Sequence, residues 1–254
     1  MINIIKGGKD RMKERTVKAL VLGRAGIGKT SLARTLDPET TLFVDMEGGD
    51  MALQDWEGDI VPVKTWAELK LLTISLGGPI KNVGEYGDSA YEISKRWLGE
   101  TDLSKYKNVF FDSLSFASKF CLDILEKEFM KEKNKFAMWN KLGNELIGWL
   151  MYIQAMTSHN VFVSCGIADK TDEYGVSSWK ALIDGQTTAS KIPSILDLVL
   201  VMSEYKTEDE KMVRALYTNS VNPFGFPAKD RSGMLKDVEP ADLTKLMTKL
   251  KGEK

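Results

Sequence analysis

Gly23-Arg-Ala-Gly-Ile-Gly-Lys-Thr30 has the spacing G-x-x-x-x-G-K-T, the most specific signal of fold class in this chain. It follows an aliphatic and β-branched run, residues 16–22, that is typical of a strand, and it precedes a helix-like segment, residues 29–36. In such a loop the glycines let successive backbone N–H groups converge on phosphate oxygens. The pattern therefore predicts a phosphate-binding loop at the N-terminus of a helix.

The polar groups of this loop each have a predicted role. The Lys29 ammonium is expected to reach the β- and γ-phosphates, and the Thr30 hydroxyl is expected to bind Mg²⁺. ATP and Mg²⁺ are thus the expected cofactors, and the alternative is a glycine turn with only a structural role. The predicted nucleotide contacts are Gly23, Arg24, Ala25, Gly26, Ile27, Gly28, Lys29, Thr30 and Ser31.

A carboxylate on a second strand is expected to help hold the metal. The run 108–112, Asn-Val-Phe-Phe-Asp, puts Asp112 at the C-terminal end of a buried type of strand, where ligands bind in open α/β sheets. We predict that Asp112 contacts Mg²⁺ through water. The alternative role for Asp112 is a helix N-cap, since Ser113 and Ser115 begin the next helical stretch.

Hydrolysis needs a group that positions or deprotonates the attacking water, and Asp45 and Glu47 are the candidates. Strand alternation would put both carboxylates on one side and Met46 on the other. The order of phosphate-binding loop, strand-Asp-x-Glu and hydrophobic-Asp-Ser resembles the RecA-type ATPase core. That resemblance implies that Glu47 activates the attacking water. The alternative is a solvated acid before the turn at residues 48–49.

The resemblance extends to residues 222–231, Asn-Pro-Phe-Gly-Phe-Pro-Ala-Lys-Asp-Arg. Lys229 and Arg231 resemble the Lys-x-Arg element that RecA-like and RadA-like ATPases direct at the γ-phosphate of a neighbouring subunit. A cation supplied in this way stabilises the charge of the transition state. The resemblance therefore implies that Lys229 and Arg231 join Lys29 and Glu47 in catalysis, and the alternative is an ordinary basic loop.

From about residue 18 to residue 250 the chain resembles phage-encoded nucleotide-binding proteins with an AAA-like RecA core, which include small single-strand annealing proteins. The segments that carry this likeness are GRAGIGKT, FVDMEGGD, FFDSLS, WNKLGNELIGWL, NVFVSCG, DGQTTASKIPSILDLVLVM and NPFGFPAKDRSG. The likeness implies a DNA-dependent ATPase that acts on single-stranded DNA in phage recombination or annealing. It also implies a homo-oligomer and a single-stranded-DNA-binding protein as partner. In place of the Gln or His usual at the end of the fourth strand, this chain has Ser164 and Cys165.

The remaining pattern gives the fold class and the domain division. Strand-like runs alternate with amphipathic helices, and two later runs, 196–203 and 212–218, bracket a hairpin tip. We predict an α/β RecA-like P-loop NTPase core with a mainly parallel central sheet, flanking helices and antiparallel strands near the C-terminal end. The predicted parts are a basic arm (1–15), the ATPase core (16–236) and a C-terminal amphipathic helix (237–254). Residues 77–99 form a Gly-rich polar segment to which the pattern assigns no helix or strand.

Composition limits the classes of protein and partner. The 254 residues carry 35 Lys+Arg and 36 Asp+Glu, two cysteines and 43% hydrophobic residues. These values fit a cytoplasmic globular protein without a disulfide framework, and no signal peptide or membrane span is expected. The charge balance argues against a strongly basic polyanion binder. We therefore expect one subunit to bind DNA weakly, and tight binding to need nucleotide, an oligomer or a partner protein.

Contacts with DNA are predicted in the polar stretch 169–191. Lys180 and Lys191 are the candidate phosphate contacts, and Trp179 is the candidate stacking platform or, alternatively, a core residue. The basic arm is a second candidate contact.

Two other functions fit the same motifs. One is a nucleotide-dependent assembly switch with little turnover, and the other is a helicase-type motor or loader.

Overall fold

A computed structural model describes residues 15–80, 84–171 and 177–252 of the chain. Of the predicted basic arm, only Arg15 belongs to these ranges, so the rest of that prediction lies outside the described residues. No helix in the described ranges is long and apolar enough to cross a membrane.

The described strands form one large sheet with a parallel centre. They are β1 (Lys18–Gly23), β2 (Thr41–Asp45), β3 (Asp59–Pro62), β4 (Asn108–Asp112), β5 (Asn160–Thr171), β6 (Ser177–Ala181), β7 (Leu198–Lys206), β8 (Met212–Tyr217), β9 (Lys229–Asp230) and β10 (Val238–Pro240). Their order is β10-β8-β7-β1-β5-β4-β2-β3, with β6 on β5 and β9 on β7. Pairing is parallel from β7 to β3, whereas β6, β8, β9 and β10 pair antiparallel. The predicted mainly parallel sheet with late antiparallel strands is confirmed.

Helices cover the two faces of the sheet. They are α1 (Trp66–Gly77), α2 (Asp88–Leu98), α3 (Leu114–Glu128), α4 (Phe136–Ala155), α5 (Gln186–Lys191) and α6 (Leu243–Leu250). The segment that follows the glycine-rich loop, Thr30–Thr35, is a 3-10 helix. The Gly-rich polar segment 77–99, for which the sequence predicts no helix or strand, contains α2. Glycines flank this helix at 87 and 99, and they masked its amphipathic period.

Apolar side chains fill the space on both faces of the sheet. On one face Trp149 of α4 is fully buried, and its ring lies 5.4 Å from Phe111 of β4 and 6.1 Å from Trp66 of α1. On the other face α6 packs against the 3-10 helix through buried leucines, including Leu246 and Leu32. Burial on both faces explains why the central strands read as continuous apolar runs.

Parallel register brings the ends of β1, β2 and β4 together beside the middle of β5. Gly23 at the end of β1 pairs with Gly166 of β5, and Asp45 at the end of β2 pairs with Asp112 of β4. Because β5 also pairs with β4, the ends of β1, β2 and β4 lie at the same edge, and β5 continues beyond it to Thr171. This carboxyl edge is where ligands bind in open α/β folds.

Candidate nucleotide-binding site

The glycine-rich loop leaves β1 at Gly23 and returns to helical conformation at Thr30. Gly26 and Gly28 have φ values of +75° and +102°, which favour glycine. A β-carbon at Gly23 would lie 2.9 Å from the Ile27 side chain, so this position also needs the smallest residue. The sequence therefore builds a tight loop with exposed backbone groups between a strand and a helix, the arrangement that binds phosphate.

Asp112 is joined to the glycine-rich loop by a hydrogen bond. The Thr30 hydroxyl donates to Asp112 Oδ2 at 2.6 Å, and the Ser164 hydroxyl donates to Oδ1. Asp112 is only 1% exposed, and this burial raises the pKa of its carboxyl, while the bonds from Ser164 and Thr30 and the charge of Lys29 lower it. The N-cap of α3 is Ser113, so the alternative of Asp112 as a helix cap is wrong.

The donor set beside Asp112 fits Mg²⁺. The Thr30 hydroxyl and the Asp112 carboxylate are hard oxygen ligands of the kind that Mg²⁺ prefers. Gly49 approaches them closely, and a β-carbon there would lie 3.3 Å from Asp112 Oδ2 and 3.4 Å from Thr30 Cγ2. The glycine therefore keeps open the space next to the two oxygens.

Asp45 shapes the loop that follows β2. Its Oδ1 accepts hydrogen bonds from the backbone N–H groups of Glu47, Gly48 and Gly49, at 3.2, 2.8 and 3.1 Å. Because β2 ends at Asp45, strand alternation does not extend to Glu47, and that part of the sequence argument was wrong. Asp45 holds the backbone on which Glu47 is presented.

Glu47 lies next to the same cluster. Its Oε1 accepts a hydrogen bond from the Ser113 hydroxyl. Desolvation by the surrounding atoms raises the pKa of the Glu47 carboxyl, and the charges of Asp112 and Asp45 raise it further, whereas the Ser113 bond and Lys29 lower it. A raised pKa makes a carboxylate a stronger proton acceptor.

Arg24 links the loop to the strand β6. Its guanidinium Cζ lies 4.8 Å from the centre of the Trp179 ring, a cation–π contact. Trp179 packs on Phe226 with ring centres 5.3 Å apart, and its indole N–H donates to the Phe224 carbonyl at 2.8 Å. The structure thus places Trp179 in an aromatic cluster beside the loop. Lys29 donates to the Arg24 carbonyl at 3.0 Å.

Lys229 and Arg231 lie away from the glycine-rich loop of their own chain. Lys229 is the first residue of β9, and Arg231 follows the end of that strand. β9 pairs with the first residues of β7, whereas Gly23 pairs with Met202 farther along β7. The two sites are separated by about 10 Å or more along the sheet, given about 3.3 Å per residue. Lys229 Nζ donates to the Pro193 carbonyl at 2.7 Å, and Arg231 pairs with Asp197 at 3.2 Å. Burial lowers the pKa of Lys229.

Of the candidate DNA contacts, Lys191 lines a groove between α4 and the 183–191 segment. The groove has a volume of about 750 Å³. Phe136 and Trp139 line it and are 69% and 43% exposed, respectively. Other lining residues are Asn140, Asn144, Ile147 and Asp184. Lys180 lies on β6 opposite Ala168 and outside this groove.

Three features of the site were not found in the sequence: the Ser164 bond to Asp112, the loop-shaping role of Asp45, and the position of Arg214. The guanidinium of Arg214, on β8, lies against Gly28. The departure from Gln or His at the end of the fourth strand was the only sequence signal for Ser164. No motif marked Arg214, because its place depends on the pairing of β8 with β7.

Comparison with known proteins gives a family and a weak structural likeness. A family model described as an AAA domain matches residues 15–232. The crystal structure of the RadB recombinase matches with 16% sequence identity and a TM-score of 0.35, covering 80% of this chain and 88% of that chain. None of the curated proteins matches this chain.

Proposed function

The chain belongs to the AAA domain family of P-loop ATPases, and from this premise we propose that it hydrolyses Mg²⁺-ATP while assembling on single-stranded DNA. The proposed setting is homologous recombination or strand annealing of the kind that phages carry out. The observation that carries the proposal is the 2.6 Å contact between Thr30 and Asp112, which places a hydroxyl and a carboxylate beside a phosphate-binding loop.

Residues 23–31 bind the nucleotide in this proposal. Backbone N–H groups and the Lys29 ammonium bind the phosphates, and Thr30 and Asp112 hold Mg²⁺. Lys29 exchanges its bond to the Arg24 carbonyl for a phosphate oxygen. The bound Mg²⁺ supplies charge that stabilises the phosphate oxygens during transfer.

Glu47 is the proposed base. Its carboxylate receives a proton from a water molecule whose oxygen bonds to the γ-phosphorus, while the bond from that phosphorus to the bridging oxygen breaks. The products are ADP and inorganic phosphate. The raised pKa of Glu47 and its place beside Ser113 and Asp112 support this role.

Lys229 and Arg231 are proposed to act on the nucleotide of a neighbouring subunit. In their own chain Lys229 bonds to the Pro193 carbonyl and Arg231 to Asp197, away from the glycine-rich loop. In this proposal a second copy therefore brings them to a γ-phosphate. Such an arrangement makes turnover depend on assembly.

The groove lined by Phe136, Trp139 and Lys191 is the proposed site for single-stranded DNA. Exposed rings offer stacking surfaces for bases, Asn140 and Asn144 offer hydrogen bonds, and Lys191 offers a charge for a phosphate. The 183–191 side of the groove follows Leu182, whose backbone N–H donates to the Gly166 carbonyl of β5. Gly166 pairs with Gly23 at the start of the glycine-rich loop, so the groove lies near the nucleotide site. A single basic residue in the groove agrees with weak binding by one subunit. A single-stranded-DNA-binding protein is the proposed partner that assists loading.

The first prediction concerns turnover. Lys29→Ala removes the phosphate-binding cation, and we expect it to abolish nucleotide binding or turnover, whereas Glu47→Gln should bind ATP normally and lose hydrolysis. Steady-state phosphate release, with and without single-stranded DNA, together with binding of a fluorescent ATP analogue, measures both effects. Normal turnover in Glu47→Gln would exclude Glu47 as the base. Nucleotide-dependent assembly without turnover in the wild type would favour an assembly switch instead.

The second prediction tests action between subunits. Glu47→Gln and Arg231→Ala should each be inactive alone, and mixing them should restore part of the phosphate release, because Arg231 of one variant then serves the intact site of the other. Arg15→Ala is the matched control, since Arg15 is the other arginine paired with Asp197 and should not be needed for turnover. A mixture that stays inactive contradicts the proposed role.

The third prediction concerns the groove. Trp139 and Trp97 are both 43% exposed, but only Trp139 lines the groove. Trp139→Ala should weaken binding of labelled single-stranded DNA about tenfold, because one base–aromatic stack contributes roughly 1–3 kcal/mol. Trp97→Ala should leave the affinity unchanged. Fluorescence anisotropy with a non-hydrolysable ATP analogue gives both values, and equal affinities of the two variants would remove the groove from the proposal.

A further inference from the structure

Arg214 of β8 lies over the glycine-rich loop. A β-carbon added to Gly28 would lie 2.8 Å from Arg214 Nη1 and 3.2 Å from its Cζ, so the guanidinium rests on the glycine. The register of the β7–β8 hairpin explains this reach: Arg214 pairs with Glu204, two residues beyond Met202, which pairs with Gly23. The hairpin therefore carries Arg214 past the sheet edge and beside the loop.

The side chain of Arg214 makes no ion pair with Glu204, although the two residues are directly opposite across the hairpin. Within the described ranges, no carboxylate lies within salt-bridge distance of its guanidinium. Arg214 is exposed to solvent. A guanidinium held against a loop of this kind has donors free for an anion, because it carries five N–H groups in a planar fork.

The other two cations of the loop are already engaged within the protein. Arg24 stacks on Trp179, and Lys29 donates to the Arg24 carbonyl. Like charges repel at short range, so a third cation beside the same loop is favoured most when an anion lies among the three. Gly28 contributes one of the backbone N–H groups that the loop turns toward phosphate.

We propose that Arg214 is a nucleotide-binding residue in cis, whose guanidinium donates to phosphate oxygens of the nucleotide held by residues 23–31. The inference rests on the proposed function and adds a residue to that site. Arg214 differs in this from Lys229 and Arg231, which lie at the opposite edge. Arginine suits the role because its planar fork matches two phosphate oxygens at once.

The test measures the affinity for fluorescent ADP and ATP analogues in three variants at Arg214. Arg214→Ala and Arg214→Gln should weaken binding of both nucleotides about tenfold, and Arg214→Lys should lose less because it keeps the charge. Dependence of the affinity on salt should also be shallower in Arg214→Gln than in the wild type. Arg96→Ala, which removes an exposed arginine of α2, is the matched control and should bind like the wild type.

The outcomes separate this inference from the function on which it rests. Wild-type affinity in Arg214→Gln would assign Arg214 to loop packing, since glutamine keeps much of the volume and loses the charge, and would overturn the proposal. Wild-type affinity in Arg214→Ala would overturn it as well. Thermal unfolding of each variant verifies that the chain is folded. A wild-type chain that binds neither nucleotide would refute the proposed function itself.

Discussion

The hydrogen bond from the Thr30 hydroxyl to the Asp112 carboxylate is the contact on which the site depends. It connects the loop after β1 with the end of β4, although β5 lies between these two strands. Ser164 of β5 donates to the other oxygen of the same carboxylate, so all three strands contribute to one polar cluster. A carboxylate buried without partners would cost several kcal/mol, and these donors offset that cost.

The cluster exists because the central strands are parallel and in register. Parallel pairing brings the carboxyl ends of β1, β2 and β4 to one edge, beside Ser164 of β5, and each strand has a glycine or an oxygen-bearing side chain there. Asp45 then uses its carboxylate to fix the turn that presents Glu47. The sheet therefore sets the positions of the loop, the carboxylate and the proposed base together.

The two edges of the sheet divide the cations of the proposed site. Arg24, Lys29 and Arg214 lie at the carboxyl edge, on or beside the glycine-rich loop. Lys229 and Arg231 lie near the amino end of β7, where Lys229 pairs with Val199. The two groups of cations therefore lie at opposite ends of the parallel strands.

Local patterns in the sequence predicted the parts of the molecule that depend on local chemistry. The glycine-rich loop, the apolar strand that ends at Asp112 and the late hairpin each have a signature within a dozen residues. The sequence pattern did not predict the helix α2, because the flanking glycines hid its period. It did not predict the role of Asp45 either, because a carboxylate that accepts from N–H groups two to four residues later ends the alternation of a strand. The position of Arg214 beside the loop depends on the register between β7 and β8, and a single sequence does not reveal that register.

A double-mutant cycle on Thr30 and Asp112 measures whether the two side chains hold one metal ion together. Thr30→Val, Asp112→Asn and the double variant are compared with the wild type for affinity to a fluorescent ATP analogue in Mg²⁺. Because the two side chains are proposed to hold one metal ion, the double variant should lose little more affinity than the single variant that binds the ATP analogue less tightly. Losses that add within about 0.5 kcal/mol would show independent residues and contradict it.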